Sequence, residues 1–121
     1  LILAVLEKRA GLHFADRDVF VNVAGGVRLD EPAADLAIAL ALVSSFMEAP
    51  VAPHLTAFGE IGLAGEIRGV DMARRRVGEA AKFGFTRCIV PKNNAADVDN
   101  PEERVWAVGR IGQAIEIALE R

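Results

Sequence analysis

Residues 30–45, reading DEPAADLAIALALVSS, decide how the fold of this chain is read. Asp30 and Glu31 stand ahead of Pro32, and the run behind them is apolar or small almost all the way round. Proline has its φ already set for a first helical turn, where its missing N–H costs nothing. An acid just before it can cap free amides and complements the positive end of the helix dipole. The pattern predicts a helix from about Pro32 to Met47, and its alanines allow a sheet to approach closely.

Working outward, residues 1–10 read as a helix with Leu3 and Leu6 on one face, Glu7, Lys8 and Arg9 outward, and Gly11 as its stop. Residues 18–23, DVFVNV, alternate as a strand does, and Gly25-Gly26 break it. Residues 27–29 resume a short extended piece. Beyond the central helix, Pro50 and Pro53 flank its exit, and residues 54–58 predict a strand. The run 59–69, GEIGLAGEIRG, reads as short extended pieces joined by glycine turns. Asp71 is then expected to cap a helix running to about Phe83 and ended by Gly84, with Val77, Ala80, Ala81 and Phe83 as its apolar face. Residues 87–90 (RCIV) form a buried strand closed by Pro91, and 93–101 a polar loop. Residues 104–108 (RVWAV) form another strand, and 111–119 a terminal helix. The fold class is α/β, a mixed sheet with packed helices, in a single domain over residues 1–121.

Composition bounds what such a domain can do. At 121 residues it is long enough to bury a core. An apolar fraction of 52% and a mean hydropathy of +0.27 point to buried elements or an oligomer interface. With a net charge of −3 the chain is no polycation, so any nucleic-acid surface must be a local patch. Cys88, the single cysteine, excludes an internal disulfide and any multi-cysteine zinc site. The longest apolar run, 36–43, is too short to span a bilayer and lacks the cationic flank of a secretion signal. The expectation is a soluble, cytoplasmic domain with no membrane partner. Residues 1–6 open inside an apolar periodic pattern without a methionine or a cap, so a fragment of a longer protein is expected.

Three ordered blocks then carry a resemblance: residues 18–26 (DVFVNVAGG), 31–37 (EPAADLA) through Ser44-Ser45, and 58–68 (FGEIGLAGEIR). The tail EAAKFGF with Ile89-Val90-Pro91 continues it. Together they cover almost the whole chain, and they resemble the Lon-protease-like C-terminal domain of the bacterial RadA (Sms) DNA-repair family. A Lon proteolytic-domain-like fold is implied. Lon-type proteases carry G-P-S-A-G where this chain has Glu31-Pro32-Ala33-Ala34-Asp35, which puts Ala33 at the serine position. Their activating lysine slides onto Arg74, or onto Arg75 with a shift of one residue. A methyl group cannot attack a carbonyl, and an arginine stays protonated and cannot act as the base. The resemblance therefore implies a pseudo-protease that is not an enzyme by itself. It also implies an ATP-dependent parent whose ATP, Mg and Zn sites lie in a missing N-terminal part, since this chain has no phosphate-binding loop and no cysteine pair. Hexameric ring assembly and DNA contact in branch migration follow from the family.

Residue by residue, alternatives stay open. Arg68, Arg74, Arg75, Arg76, Lys82 and Arg87 crowd one window and read either as a solvated helix face or as a phosphate-contacting strip. Three consecutive arginines near a helix start oppose the dipole, which calls for a partner. That partner is phosphate, or acids of a neighbouring subunit such as Glu31, Asp35, Glu60 and Glu66, or an intrachain acid such as Asp71 or Glu79. Asp35 reads as a structural first-turn acid that bonds backbone N–H groups or an arginine. Ser44 and Ser45 read as helix-end residues, His13 and His54 as ordinary loop or strand-edge residues, and Cys88 as a buried small hydrophobe. Gly25-Gly26 read as a tight turn rather than a phosphate cradle, and Trp106 as core rather than a base-stacking platform.

The leading reading is a noncatalytic domain that serves as an oligomerisation scaffold and contributes to duplex-DNA binding within a recombination ATPase. Its rivals are a Lon-type serine protease domain, inactivated or with a shifted dyad, and a peptide-binding module.

Overall fold

The computed structural model describes residues 32–98 and 104–119, together with Ile2 and Val5. The strand expected at 18–23, Gly25-Gly26, His13, Asp30, Glu31 and most of the helix expected at 1–10 lie outside the described residues.

Pro32–Ala34 make one turn of 3-10 helix, and Asp35–Met47 continue as α1. Burial follows the i, i+3, i+4, i+7 rule, with Leu36, Ala39, Leu40 and Val43 buried. Ala37 and Ala41 are exposed. A helix that is apolar nearly all round in sequence thus becomes one-sided in space. Alanine, the best helix former, exposes little apolar surface when it faces water. Glu48 ends α1 in the left-handed region, at φ 52°. The N–H groups of Glu48 and Ala49 bond the carbonyls of Ser45 and Ser44 at 3.3 and 3.1 Å. Ser44 Oγ donates to the Ala49 carbonyl, so the serine closes the helix as its sequence position implied.

Five strands follow in chain order, β1 (Leu55–Ala57), β2 (Glu60–Ile61), β3 (Ile67–Arg68), β4 (Arg87–Pro91) and β5 (Val105–Val108). β1, β4 and β5 form one sheet in the order β1-β4-β5, parallel throughout, with Cys88 beside both Thr56 and Val105. β2 and β3 form a separate antiparallel hairpin. The mixed character expected from sequence is therefore divided between two sheets. Parallel neighbours need a crossover, and the β1-to-β4 crossover carries the hairpin and α2 (Ala73–Lys82). Between β4 and β5 lies a 3-10 helix, Lys92–Asp97, where the sequence predicted loop. The last helix, α3, spans Ile111–Ala118.

β4 shows the layering. Ile89 joins the larger core, packed with Leu36, Leu40 and Val43 of α1 and with Ile111, Ala114 and Ile115 of α3. Val5 and Ile2 pack against the same cluster. Cys88 and Val90 alternate to the other face, where they meet Phe58, Ala73 and Val77. Helices α1 and α3 thus cover one side of the sheet and α2 the other. No helix among the described residues is long and apolar enough to cross a membrane.

Candidate nucleic-acid interface

Helix α2 has the sequence ARRRVGEAAK and buries one of its residues, Ala73. Asp71 was expected to cap it, but the N-cap is Met72, in the left-handed region at φ 56°, with no side-chain cap bond. A side-chain cap needs an extended N-cap residue, and Asp71 stands one position too far out. Its carboxylate instead meets Arg76 Nη2 at 2.9 Å, while its carbonyl accepts from Arg76 Nε at 2.9 Å. Phe83, expected on the buried face, is 78% exposed. It lies just past the last helical residue, where the apolar stripe of Val77 and Ala80 no longer sets its direction.

The six candidate cations separate into groups. Arg76 pairs with Asp71, and Lys82 with Glu79 at 3.7 Å, which are the two intrachain acids named as alternatives. Arg74 Nε donates to the Asp97 carbonyl at 3.2 Å and so holds α2 against the 3-10 helix. Arg68 lies on the hairpin, between Glu66 at 3.3 Å and Glu60, its cross-strand neighbour, at 3.7 Å. Arg75 and Arg87 are exposed, and no ion pair among the described residues engages either guanidinium. Exposed pairs of this kind hold weakly, so Arg76 and Lys82 can exchange a carboxylate for a phosphate at small cost.

The hairpin is held from several sides. Asp35 Oδ2 accepts the Ile61 N–H at 3.1 Å, the structural role read for that acid. The Gly59 N–H donates to the Ala33 carbonyl at 2.9 Å, and the Leu36 N–H to the Gly59 carbonyl at 3.0 Å. At the far edge, Ile67 N–H bonds the Gly109 carbonyl, Ile111 N–H bonds the Gly65 carbonyl, and Arg110 Nη2 reaches the Ala64 carbonyl, each at 2.9 Å. Glu66 folds back over Gly62 and accepts the Ala64 N–H at 3.1 Å. Hydrogen bonds from its own backbone N–H and from Ala64, with Arg68 beside it, hold its carboxyl below the usual carboxylate range.

The two positions aligned with the lost dyad have unlike surroundings. Ala33 is buried beneath Gly59, whereas Arg74 is exposed on α2. His54 is exposed, in the left-handed region at φ 58°, and its carbonyl accepts the Thr86 and Arg87 N–H groups. Trp106 is only partly buried. Cys88 is buried, and desolvation pushes its thiol up to about 12. Among the described residues no three His, Cys, Asp or Glu side chains gather as a metal site.

Sequence reasoning missed Asn94, which is buried and fully bonded. It accepts the Val70 N–H at 2.9 Å and donates to the Val70 carbonyl and to Asp97 Oδ2, each at 3.0 Å. This side chain stands in for a strand neighbour and fixes the chain entering α2. Within a polar NNAAD run, nothing local distinguishes it.

A family model described as subunit ChlI of Mg-chelatase matches residues 2–94. Among curated proteins, the chain is 49% identical over 117 residues to a protein named DNA repair protein RadA from Streptococcus pyogenes serotype M6, covering 96% of this chain and 26% of that relative. Proteins of the same name from Halalkalibacterium halodurans and Escherichia coli K12 are 48% and 46% identical, over 100% and 97% of this chain and 27% and 25% of their own length. The chain therefore spans about a quarter of the length of these relatives.

Proposed function

The chain belongs to the family described as subunit ChlI of Mg-chelatase, and from that premise and its RadA-named relatives we propose that it is the noncatalytic, Lon-like domain of a DNA-repair ATPase. Its work is to help assemble copies of the parent protein and to lend part of a duplex-DNA surface. The parent supplies ATP hydrolysis; this chain supplies shape and charge. Proteolysis is set aside on the chemistry of Ala33 and Arg74, which offer neither a nucleophile nor a titratable base.

The observation that carries the DNA reading is the exposure of α2. Of its ten residues only Ala73 is buried, and three consecutive arginines fan across its first turns. Its macrodipole disfavours cations there and attracts phosphate, and Arg75 and Arg87 stand without an ion pair among the described residues. Phosphate contacts of this kind give affinity without sequence preference, and they weaken steeply with salt.

The test is titration of duplex DNA across ionic strength. We expect log affinity to fall linearly with log salt, and Arg75→Ala or Arg87→Ala to reduce that slope by about one each. A wild-type affinity that does not change with salt, or a slope untouched by both substitutions, would overturn the DNA reading. Cleavage of a fluorogenic peptide by this chain would restore the protease alternative.

A further inference from the structure

The outer helices divide charge between the two sides of the sheet. α1 (DLAIALALVSSFM) and α3 (IGQAIEIA) contain no lysine or arginine, and Glu48 and Glu116 are exposed at or near their C-terminal ends. Arg110, at the opposite end of α3, is occupied with the Ala64 carbonyl. On the other side, α2 carries Arg74, Arg75, Arg76 and Lys82 against Glu79, with Arg87 opening the adjacent strand. Asp71 and Asp97 offset part of this charge without reversing it.

Each side also exposes large apolar groups where its charge lies. Phe83 is 78% exposed and Phe85 41%, both just past the end of α2. Phe85 and Arg87 border an apolar hollow of about 120 Å³ floored by Val77, Cys88 and Val105. On the acidic side, Met47 and Ile117 are each 37% exposed. They lie within four residues of Val51 and Leu119, whose bridge joins the chain after α1 to the end of α3. An exposed phenylalanine with no partner in its own chain is a typical anchor for another surface.

The geometry points to a head-to-tail contact between copies of this chain: the Phe83–Phe85 end of α2, with Arg87, docks on the Met47, Glu48, Glu116 and Ile117 surface of the next copy. Opposite charge meets across the contact, and apolar groups meet at its centre. The two faces differ and lie on opposite sides of one sheet, so the contact is heterologous. Such contacts propagate, and they close into a ring when the rotation between copies permits. The N-terminal half of α2, with Arg75, remains outside the contact and available to phosphate. This rests on the self-association proposed above and assigns it two faces.

The experiment uses the full chain in analytical ultracentrifugation across concentration and at low salt, with circular dichroism to verify folding. Wild type is expected to form species larger than dimers. Phe83→Ser on the basic side and Ile117→Ser on the acidic side should each weaken association roughly tenfold or more. Arg87→Glu and Glu116→Arg serve as second variants that leave the cores intact and should act in the same direction. An equal mixture of Phe83→Ser and Ile117→Ser should stop at one-to-one dimers, because each copy retains one of the two faces. Wild type that stays monomeric at high concentration overturns both the self-association reading and this contact. Wild type that assembles while all four substitutions leave assembly unchanged overturns the face assignment alone. A mixture of weakened variants that yields no dimers overturns the head-to-tail geometry.

Discussion

The Asp35 carboxylate accepts the Ile61 backbone N–H at 3.1 Å across 26 positions of sequence. That bond joins the first turn of α1 to the hairpin, whose other edge is tied to α3 through Gly109 and Ile111. The Ile61 amide sits in a buried residue, so losing its acceptor costs more than the bond itself contributes. Asp35→Ala should destabilise the fold by about 1–3 kcal/mol, and Asp35→Asn, which keeps an oxygen acceptor, by clearly less. Denaturant titration of the two variants measures this; equal losses would remove the hydrogen bond from the account.

A methyl group at Gly62 would lie 2.2 Å from Glu66 Cδ. Glu66 is a flexible side chain and can swing away, giving up the Ala64 amide and Arg68. Gly62→Ala should therefore cost only about 1 kcal/mol. In a Glu66→Ala background, where nothing remains to be displaced, that cost should largely vanish. A double-mutant cycle reads the coupling directly.

Glu66 also sets an acid dependence. Its folded carboxyl titrates below its ordinary value of 4.5, so its contribution to stability is present above that pH and fades as pH falls through the lowered value. Glu66→Gln should lower Tm at neutral pH and converge with wild type at strongly acidic pH. Parallel Tm curves across that range would contradict the assignment.

Cys88 behaves in the opposite sense. Burial raises its thiol to about 12 from 9.0, so it favours the folded state below pH 9 and loses that contribution as pH climbs toward 12. Near pH 8 the native thiol should resist a thiol-directed reagent, reacting at the rate of local opening rather than that of a free cysteine. Labelling as fast in native buffer as in denaturant would show that the site is open.

Asn94 bonds both backbone groups of Val70 as well as Asp97. Asn94→Ala leaves the Val70 pair without side-chain partners and should cost about 2–4 kcal/mol. Asn94→Asp keeps an acceptor but loses both donors and places a charge beside Asp97, so it should rescue little. Thermal unfolding of both variants decides the point.

The sequence announced its helices better than its surfaces. Pro32 and the apolar run behind it marked α1 because an apolar stripe and a first-turn proline are local signals. Arg87–Pro91 was legible as a buried strand for the same reason. Asp71 misled, since its capping role depended on the backbone of Met72, a left-handed residue that composition does not foretell. Phe83 misled too, because one residue beyond a helix end the 3.6-residue period no longer indicates direction. The basic window was visible as charge, but not the division in which Arg76 and Lys82 take carboxylates while Arg75 and Arg87 face solvent.

By itself, the sequence determined the α/β class, the helix at Pro32–Met47, the glycine hairpin and the absence of a serine and a lysine from aligned dyad positions. These rest on local periodicity, turn chemistry and residue identity, which no neighbour has to supply. The tertiary structure alone decided that Asp35 holds Ile61, that Asn94 holds Val70, and that acidic and basic helices lie on opposite sides of one sheet. Those facts join residues more than twenty positions apart, and only the closure of the chain around a shared core brings such residues within bonding distance.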